Sequence, residues 1–184
     1  MALEFTTSYL ADSLAIFRQY KKHAERALEQ VPDEHLCTAL DGESNSIAVI
    51  MKHLAGNMRS RWTDFLTSDG EKPDRNRDAE FEDPPPTRAA LMEVWEAGWA
   101  CLFAALEPLG EADLGRTVYI RREAHSVMQA INRQVGHIAM HTGQIVLLAK
   151  HFASQNENWR PLTIPRGKSA EFNQRVAAGE ASQR

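Results

Sequence analysis

Seven histidines stand in this 184-residue chain. Two of them, His137 and His141, lie four apart in a segment of helical period. An α-helix turns 100° and rises 1.5 Å per residue, so the second imidazole falls about 40° round and one turn along. Their Cβ atoms are then roughly 5–6 Å apart. Two imidazoles at that spacing can reach one ion at about 2.0–2.1 Å from each nitrogen. The pair is therefore a two-ligand unit. It is not the zincin motif, which needs Glu after the first His, where this chain has Ile138.

The surrounding helix face is polar. With His137 at 0°, Arg133 falls at about −40° and Gln144 at about −20°, while Ile131, Ile138 and Ile145 lie about 100° round. Such a strip faces solvent or lines a polar pocket. His151 shares the angle of Arg133 but lies about 15 Å beyond His141, too far to join the same site. A third ligand must come from another helix. His53, beside the apolar residue Leu54, is the natural candidate. A half-buried His bonded to a neighbour fits the same position, and spacing alone leaves both readings open. His23, His35 and His125 lie in surface-like sequence, and exposure is the expectation for each.

Three neutral imidazoles leave an ion with an open coordination position. That suits hydroxide generation for hydrolysis and equally the ionisation of a thiol for transfer. Zinc or nickel suits such a donor set best, with iron or manganese as alternatives. No carboxylate stands at ligand spacing to His137 or His141. Asp64 is read as sharing a helix face with His53, about 16 Å along it. Asn57 and Gln144, about one turn from His53 and His141, are candidates to fix the imidazole tautomers, or simply polar residues at a helix seam. Arg133 has the fork to hold an anionic group, or to pair with a surface acid. Cys37 and Cys101 offer no activated nucleophile, and Cys101 reads as a buried structural thiol.

Four amphipathic helices position these residues. The first is expected over residues 3–30, with Leu10, Leu14, Phe17, Ala24 and Leu28 in one stripe. The second runs from 44–46 to 66, with Ile47, Met51, Leu54, Met58, Trp62 and Phe65 inward. The third follows Thr87 to residue 106, with Leu91, Val94, Trp95, Gly98, Leu102 and Ala105 inward. The fourth covers 126–152. Residues 68–87 carry four prolines and many charges, which predicts a long loop without helix or strand. Residues 117–122 allow one short ribbon. The tail has little periodicity. Its residues 159–164 fit along the body, and residues 176–184 are expected to fray. Residues 1–175 thus read as one all-α domain, a four-helix bundle.

Composition narrows the function classes. Hydrophobic residues are 43% and charged residues 25%, as in soluble globular domains. Lys and Arg number 21 against 25 Asp and Glu, a net charge of −4, with no basic stripe for nucleic acid. No apolar run suggests a membrane span and no leader pattern opens the chain. Two cysteines fit a reducing cytoplasm.

The segment SIAVIMKHLAGNMRSRW around His53 resembles the second-helix signature of DinB/YfiT-like proteins. INRQVGHIAMHTGQIVLLAKH resembles their fourth-helix signature, which supplies two more histidines. SRWTDFLTSDGEKP together with TIPRGKSAEFN resembles one DinB-like subfamily of unknown function. The likeness covers nearly all of residues 1–175. It implies a four-helix bundle with a divalent ion on His53, His137 and His141, often in homodimers. It also implies relatives that are metal-dependent thiol S-transferases, an isomerase that uses a low-molecular-weight thiol, or proposed hydrolases. Two function classes follow: a metal-dependent enzyme acting on a small molecule, with or without a low-molecular-weight thiol, or a non-catalytic, stress-associated metal-binding homodimer. A third reading, a partner-binding bundle with an incidental histidine cluster, predicts no stoichiometric metal.

Overall fold

The computed structural model describes residues 5–154 and 159–182. The chain is mostly helical, with five α-helices and one small two-stranded sheet: α1 (Phe5–Leu28), α2 (Ile47–Trp62), α3 (Arg88–Leu106), β1 (Thr117–Ile120), β2 (Glu123–Ser126), α4 (Val127–Ser154) and α5 (Ser169–Ala177). α2 packs against α3 and α4, and α1 packs against α4 and α3. The expected start of the first helix at residue 3 lies outside the described residues.

The helix boundaries follow local chemistry. The Ser46 hydroxyl accepts from the Val49 N–H at 3.2 Å and caps α2. Thr87 caps α3 in the same way, accepting from the Ala90 N–H at 3.2 Å. α2 ends four residues earlier than its apolar spacing suggested. Thr63 turns extended and its N–H still reaches the Arg59 carbonyl. Asp64 then takes a positive φ of 47°. Asp64 is thus exposed and off the helix. Phe65 kept the pattern running because it remains buried, edge-on to Trp62 at 5.0 Å, although the helix has ended.

The buried stripes of α2 and α4 match their sequence periods. Ile47, Met51, Leu54, Met58 and Trp62 are buried on α2, and Ile131, Ile138, Ile145 and Ala149 on α4. On α3 the stripe is rotated slightly. Trp99 is buried, whereas Val94 is exposed. Gly98 sets that rotation. A Cβ there would sit 2.6 Å from Ala55 Cα, so α3 meets the α2 backbone at this glycine. Among the described residues α3 alone has the length and composition to cross a membrane. Its buried side packs against α2.

The ribbon is a full hairpin, so α4 begins at Val127 rather than at 126. β1 and β2 pair antiparallel from Thr117↔Ser126 to Ile120↔Glu123. The two turn residues are Arg121 and Arg122, with φ of 55° and 65°. That conformation normally selects Gly or Asn. Here both turn N–H groups donate to the Asp69 carboxylate, at 2.8 and 2.7 Å. The tail meets one expectation and departs from another. Residues 160–162 lie along α1, where Arg26 Nη1 donates to the Leu162 carbonyl at 2.9 Å and Gln30 bonds the Arg160 backbone both ways. Beyond them α5 forms with no buried residue. It covers the beginning of the segment expected to fray, and residues 183–184 lie outside the described residues.

Candidate metal centre

Three imidazoles meet where α2 faces α4. His53 comes from the middle of α2, and His137 and His141 from successive turns of α4. One ring nitrogen from each lies within 4.8 Å of the others. His53 Nε2 and His137 Nε2 are 3.1 Å apart. Nitrogens at about 2.05 Å from one tetrahedral ion would be about 3.3 Å apart, so the spacing suits a shared ion. His53 and His141 are buried, and His137 is half-buried.

Two of the rings have their other nitrogen fixed. His53 Nδ1 is 2.8 Å from Glu80 Oε2. Burial alone would raise the Glu80 carboxyl, but the bonds from His53 and Arg75 outweigh it and hold it below its ordinary value. An ionised carboxylate has no proton to give, so His53 donates through Nδ1–H and presents the lone pair of Nε2 to the cluster. His141 Nδ1 is 2.7 Å from Gln144 Oε1. That bond places the proton on Nδ1 and leaves Nε2 as the ligand atom.

Electrostatics keep His137 and His141 neutral. Burial first, then His141, His53, Arg61 and Arg75, push His137 down to about 3. Burial also lowers His141, against the opposing bond to Gln144. Neutral imidazole is the form that binds a metal ion. The donor set fits a divalent ion: three convergent nitrogens, two set tautomers and no competing proton on His137 or His141 near neutrality.

Glu80 is the residue that sequence reasoning missed. It sits in the proline-rich stretch, on a single 3₁₀ turn, Asp78–Phe81. The stretch is a strap rather than a featureless loop. Arg75 grips Glu80 with two bonds, Nε to Oε1 at 2.7 Å and Nη2 to Oε2 at 2.9 Å. Arg75 Nη1 reaches Glu71 at 3.0 Å, and Arg121 on the hairpin turn pairs with the same Glu71 at 3.3 Å. Lys52 Nζ donates to the Ala79 and Glu82 carbonyls, both at 2.6 Å. Phe81 stacks on the His53 ring at 4.6 Å between centroids. A run of ion pairs thus ties the hairpin to the His53 imidazole. One sequence signal pointed here. Gly56 interrupts α2 at a cost of about 1 kcal/mol against alanine, and a Cβ on it would lie 2.6 Å from Glu80 Oε1.

The remaining candidates sort by position. Gln144 is bonded as expected. Asn57 is not: its Oδ1 is buried with no partner among the described residues. Arg133 is exposed and makes no ion pair among the described residues, against the surface-pair reading. His151 stands in the last turn of α4, beside Phe152. His23, His35 and His125 are half-buried rather than exposed, and His35 stacks on Phe152 at 4.7 Å. Cys37 is exposed. Cys101 is half-buried, 3.3 Å from Thr63 Oγ1, and neither thiol joins the histidines. A shallow groove of about 460 Å³ beside Cys101 is lined by Trp62–Thr67 and Ala104–Ala105, away from the cluster.

A family model described as "Protein of unknown function (DUF1572)" matches residues 4–168, and the chain belongs to that family. No curated protein and no solved structure matches it.

Proposed function

We propose that this DUF1572 protein is a DinB/YfiT-like four-helix bundle, formed by α1 to α4, that binds one divalent ion on His53, His137 and His141. The observation that carries the reading is the convergence of three imidazole nitrogens within 4.8 Å, two of them with the opposite ring nitrogen already bonded. Zinc or nickel is the expected ion, with iron or manganese as the alternatives.

We further propose that the centre is catalytic, as a thiol S-transferase or a hydrolase acting on a small molecule. A bound ion there would supply Lewis acidity for activating a water or a thiol. The chain's own residues set the conditions. Glu80 holds His53 by Nδ1 and raises the basicity of its free nitrogen. Arg75 keeps Glu80 ionised and in place. Gln144 does the same for the orientation of His141. Phe81 shields one face of the His53 ring. His137 is the only one of the three that keeps appreciable exposure, which favours an open side for substrate over a closed structural site. One observation favours the alternative, a non-catalytic, stress-associated homodimer: the groove of about 460 Å³ beside Cys101 lies away from the histidines. Dimerisation and a cytoplasmic location belong to the same proposal.

The test is elemental analysis of untagged protein purified without chelator, beside His53→Ala and His137→Ala. One ion per chain, lost in both variants, is the expected result. Thiol-transfer and ester- or amide-hydrolysis assays on metal-loaded and metal-stripped protein then separate catalyst from binder. Metal far below one per chain and indifferent to both substitutions would overturn the reading.

A further inference from the structure

We propose that Arg61 and Arg133 form an oxyanion subsite beside the three histidines, so that the small molecule brought to the centre carries a carboxylate or phosphate group. The inference deepens the metal-centre reading and rests on it for the placement of the reacting atoms.

Helix geometry puts both arginines on the site's side. Arg133 lies one turn before His137 on α4, about 6 Å along the axis. Arg61 lies about 12 Å beyond His53 on α2. His53 touches His137, and Arg61 shares a narrow cleft with Ala130. Moving forward on α2 is therefore moving backward on α4, and the two arginines converge on the same end of the α2–α4 seam. Each side of the seam reads outward from imidazole to guanidinium.

The chain does not satisfy these cations itself. Arg61 Nη1 is buried without a hydrogen-bond partner, and Arg61 has no ion pair among the described residues. A group of this kind costs stability unless something else meets it. Gly70 makes the room, since a Cβ there would lie 3.0 Å from Arg61 Cδ and 3.1 Å from Nη1. Burial pulls Arg61 down to about 10, against the pull of nearby Glu71, and Arg75, Arg133 and Arg121 add to the lowering. At neutral pH it is still a cation. The nearby acids are committed elsewhere. Glu71 takes Arg75 and Arg121, Asp69 takes the hairpin turn N–H groups, and Glu80 takes Arg75 and His53. Arg61 is half-buried as a residue, with its unpartnered Nη1 out of contact with solvent, and Arg133 is exposed, so an anion can approach Arg133 and the part of Arg61 that stays exposed. A planar fork that presents several donors is the group suited to carboxylate or phosphate.

The test uses the full chain loaded with zinc. Inorganic phosphate and succinate are titrated separately by calorimetry and by thermal melts into wild type, Arg61→Met, Arg133→Gln and His53→Ala. At least one probe is expected to bind wild type and raise its Tm, and the probe that does so tells phosphate from carboxylate. Affinity should fall tenfold or more in each arginine variant, with zinc content unchanged. Without anion, Arg61→Met should melt at or above wild type, because an unpaired buried cation has been removed. Equal binding by wild type and both arginine variants would overturn the inference, as would no binding of either probe. So would an anion-free Arg61→Met that melts well below wild type, since that marks a structural arginine. Binding lost only in His53→Ala places the anion on the metal and also overturns it. Should zinc prove absent from wild type while anion binding still depends on the arginines, the metal reading fails and the oxyanion subsite stands.

Discussion

α2 turns one face to α3 and another to α4, and the two seams are made of different material. Toward α3 the contact is close and apolar. Gly98 admits the α2 backbone at Ala55, and Leu91, Trp95, Trp99 and Leu102 fill the space around it. Its polar debts are the indole N–H groups of Trp62 and Trp99, which find no partner among the described residues. Toward α4 the same helix presents His53, Asn57 and Arg61. That side leaves Asn57 Oδ1 and Arg61 Nη1 unpaired. Close packing accounts for the first seam without any ligand. The second carries its unpaired atoms on the helix face that holds His53, where the proposed ligand would relieve the cost. On the proposed function, one helix serves stability with one face and chemistry with the other.

Substitutions on the two faces should separate these roles. The largest effect is expected at the apolar seam. Gly98→Val drives a side chain into the Ala55 backbone and should cost about 3 kcal/mol or more in denaturant unfolding. Any metal still bound by the folded fraction should keep its affinity. Next comes Glu80→Gln, which removes the ionised acceptor of the His53 proton. Metal affinity should fall about 10- to 100-fold in a competition titration. A Glu80→Gln protein that holds metal like wild type would break the link between strap and centre.

Acid should weaken the metal-free protein through the same face. His137 sits at about 3 in the fold against about 6.5 in the unfolded chain. Its contribution to stability is present above pH 6.5 and is lost as pH falls toward 3. Metal-free wild type should therefore lose more stability between pH 7 and 4 than metal-free His137→Ala, as read by urea midpoints. The smallest effect is expected for Gly56→Ala. The new methyl displaces Glu80, so metal affinity drops a few-fold. The metal-free helix gains up to about 1 kcal/mol from propensity. Opposite signs in the two readouts would sharpen the comparison, and equal signs would blur it.

The apolar seam and the helices were largely legible in the sequence. Ser46 and Thr87 announce their helices because a hydroxyl placed before an apolar run has one obvious use. Ile131, Ile138 and Ile145 announce the buried side of α4 by period alone. His53, His137 and His141 were nominated by one helical spacing and one resemblance, and the structure brings them together. Glu80 and Arg75 were not legible. Their placement depends on a strap tied by Lys52 and by the hairpin turn, contacts between residues roughly 25 to 50 apart that carry no periodic trace. The hairpin's turn and second strand hid because Arg121 and Arg122 hold positive φ where Gly or Asn is the usual signal. Asp69 supplies the compensation from 52 residues away. α5 hid for a different reason: it is nine residues long and buries none of them against the body.

The central claim is that His53, His137 and His141 share one ion. Anomalous diffraction from crystals of untagged protein, recorded on both sides of the absorption edge of the metal found by elemental analysis, tests it most directly. One peak per chain is expected, about 2.0–2.1 Å from a nitrogen of each of the three imidazoles. A peak elsewhere, or three imidazoles with no peak between them in metal-replete protein, would contradict it.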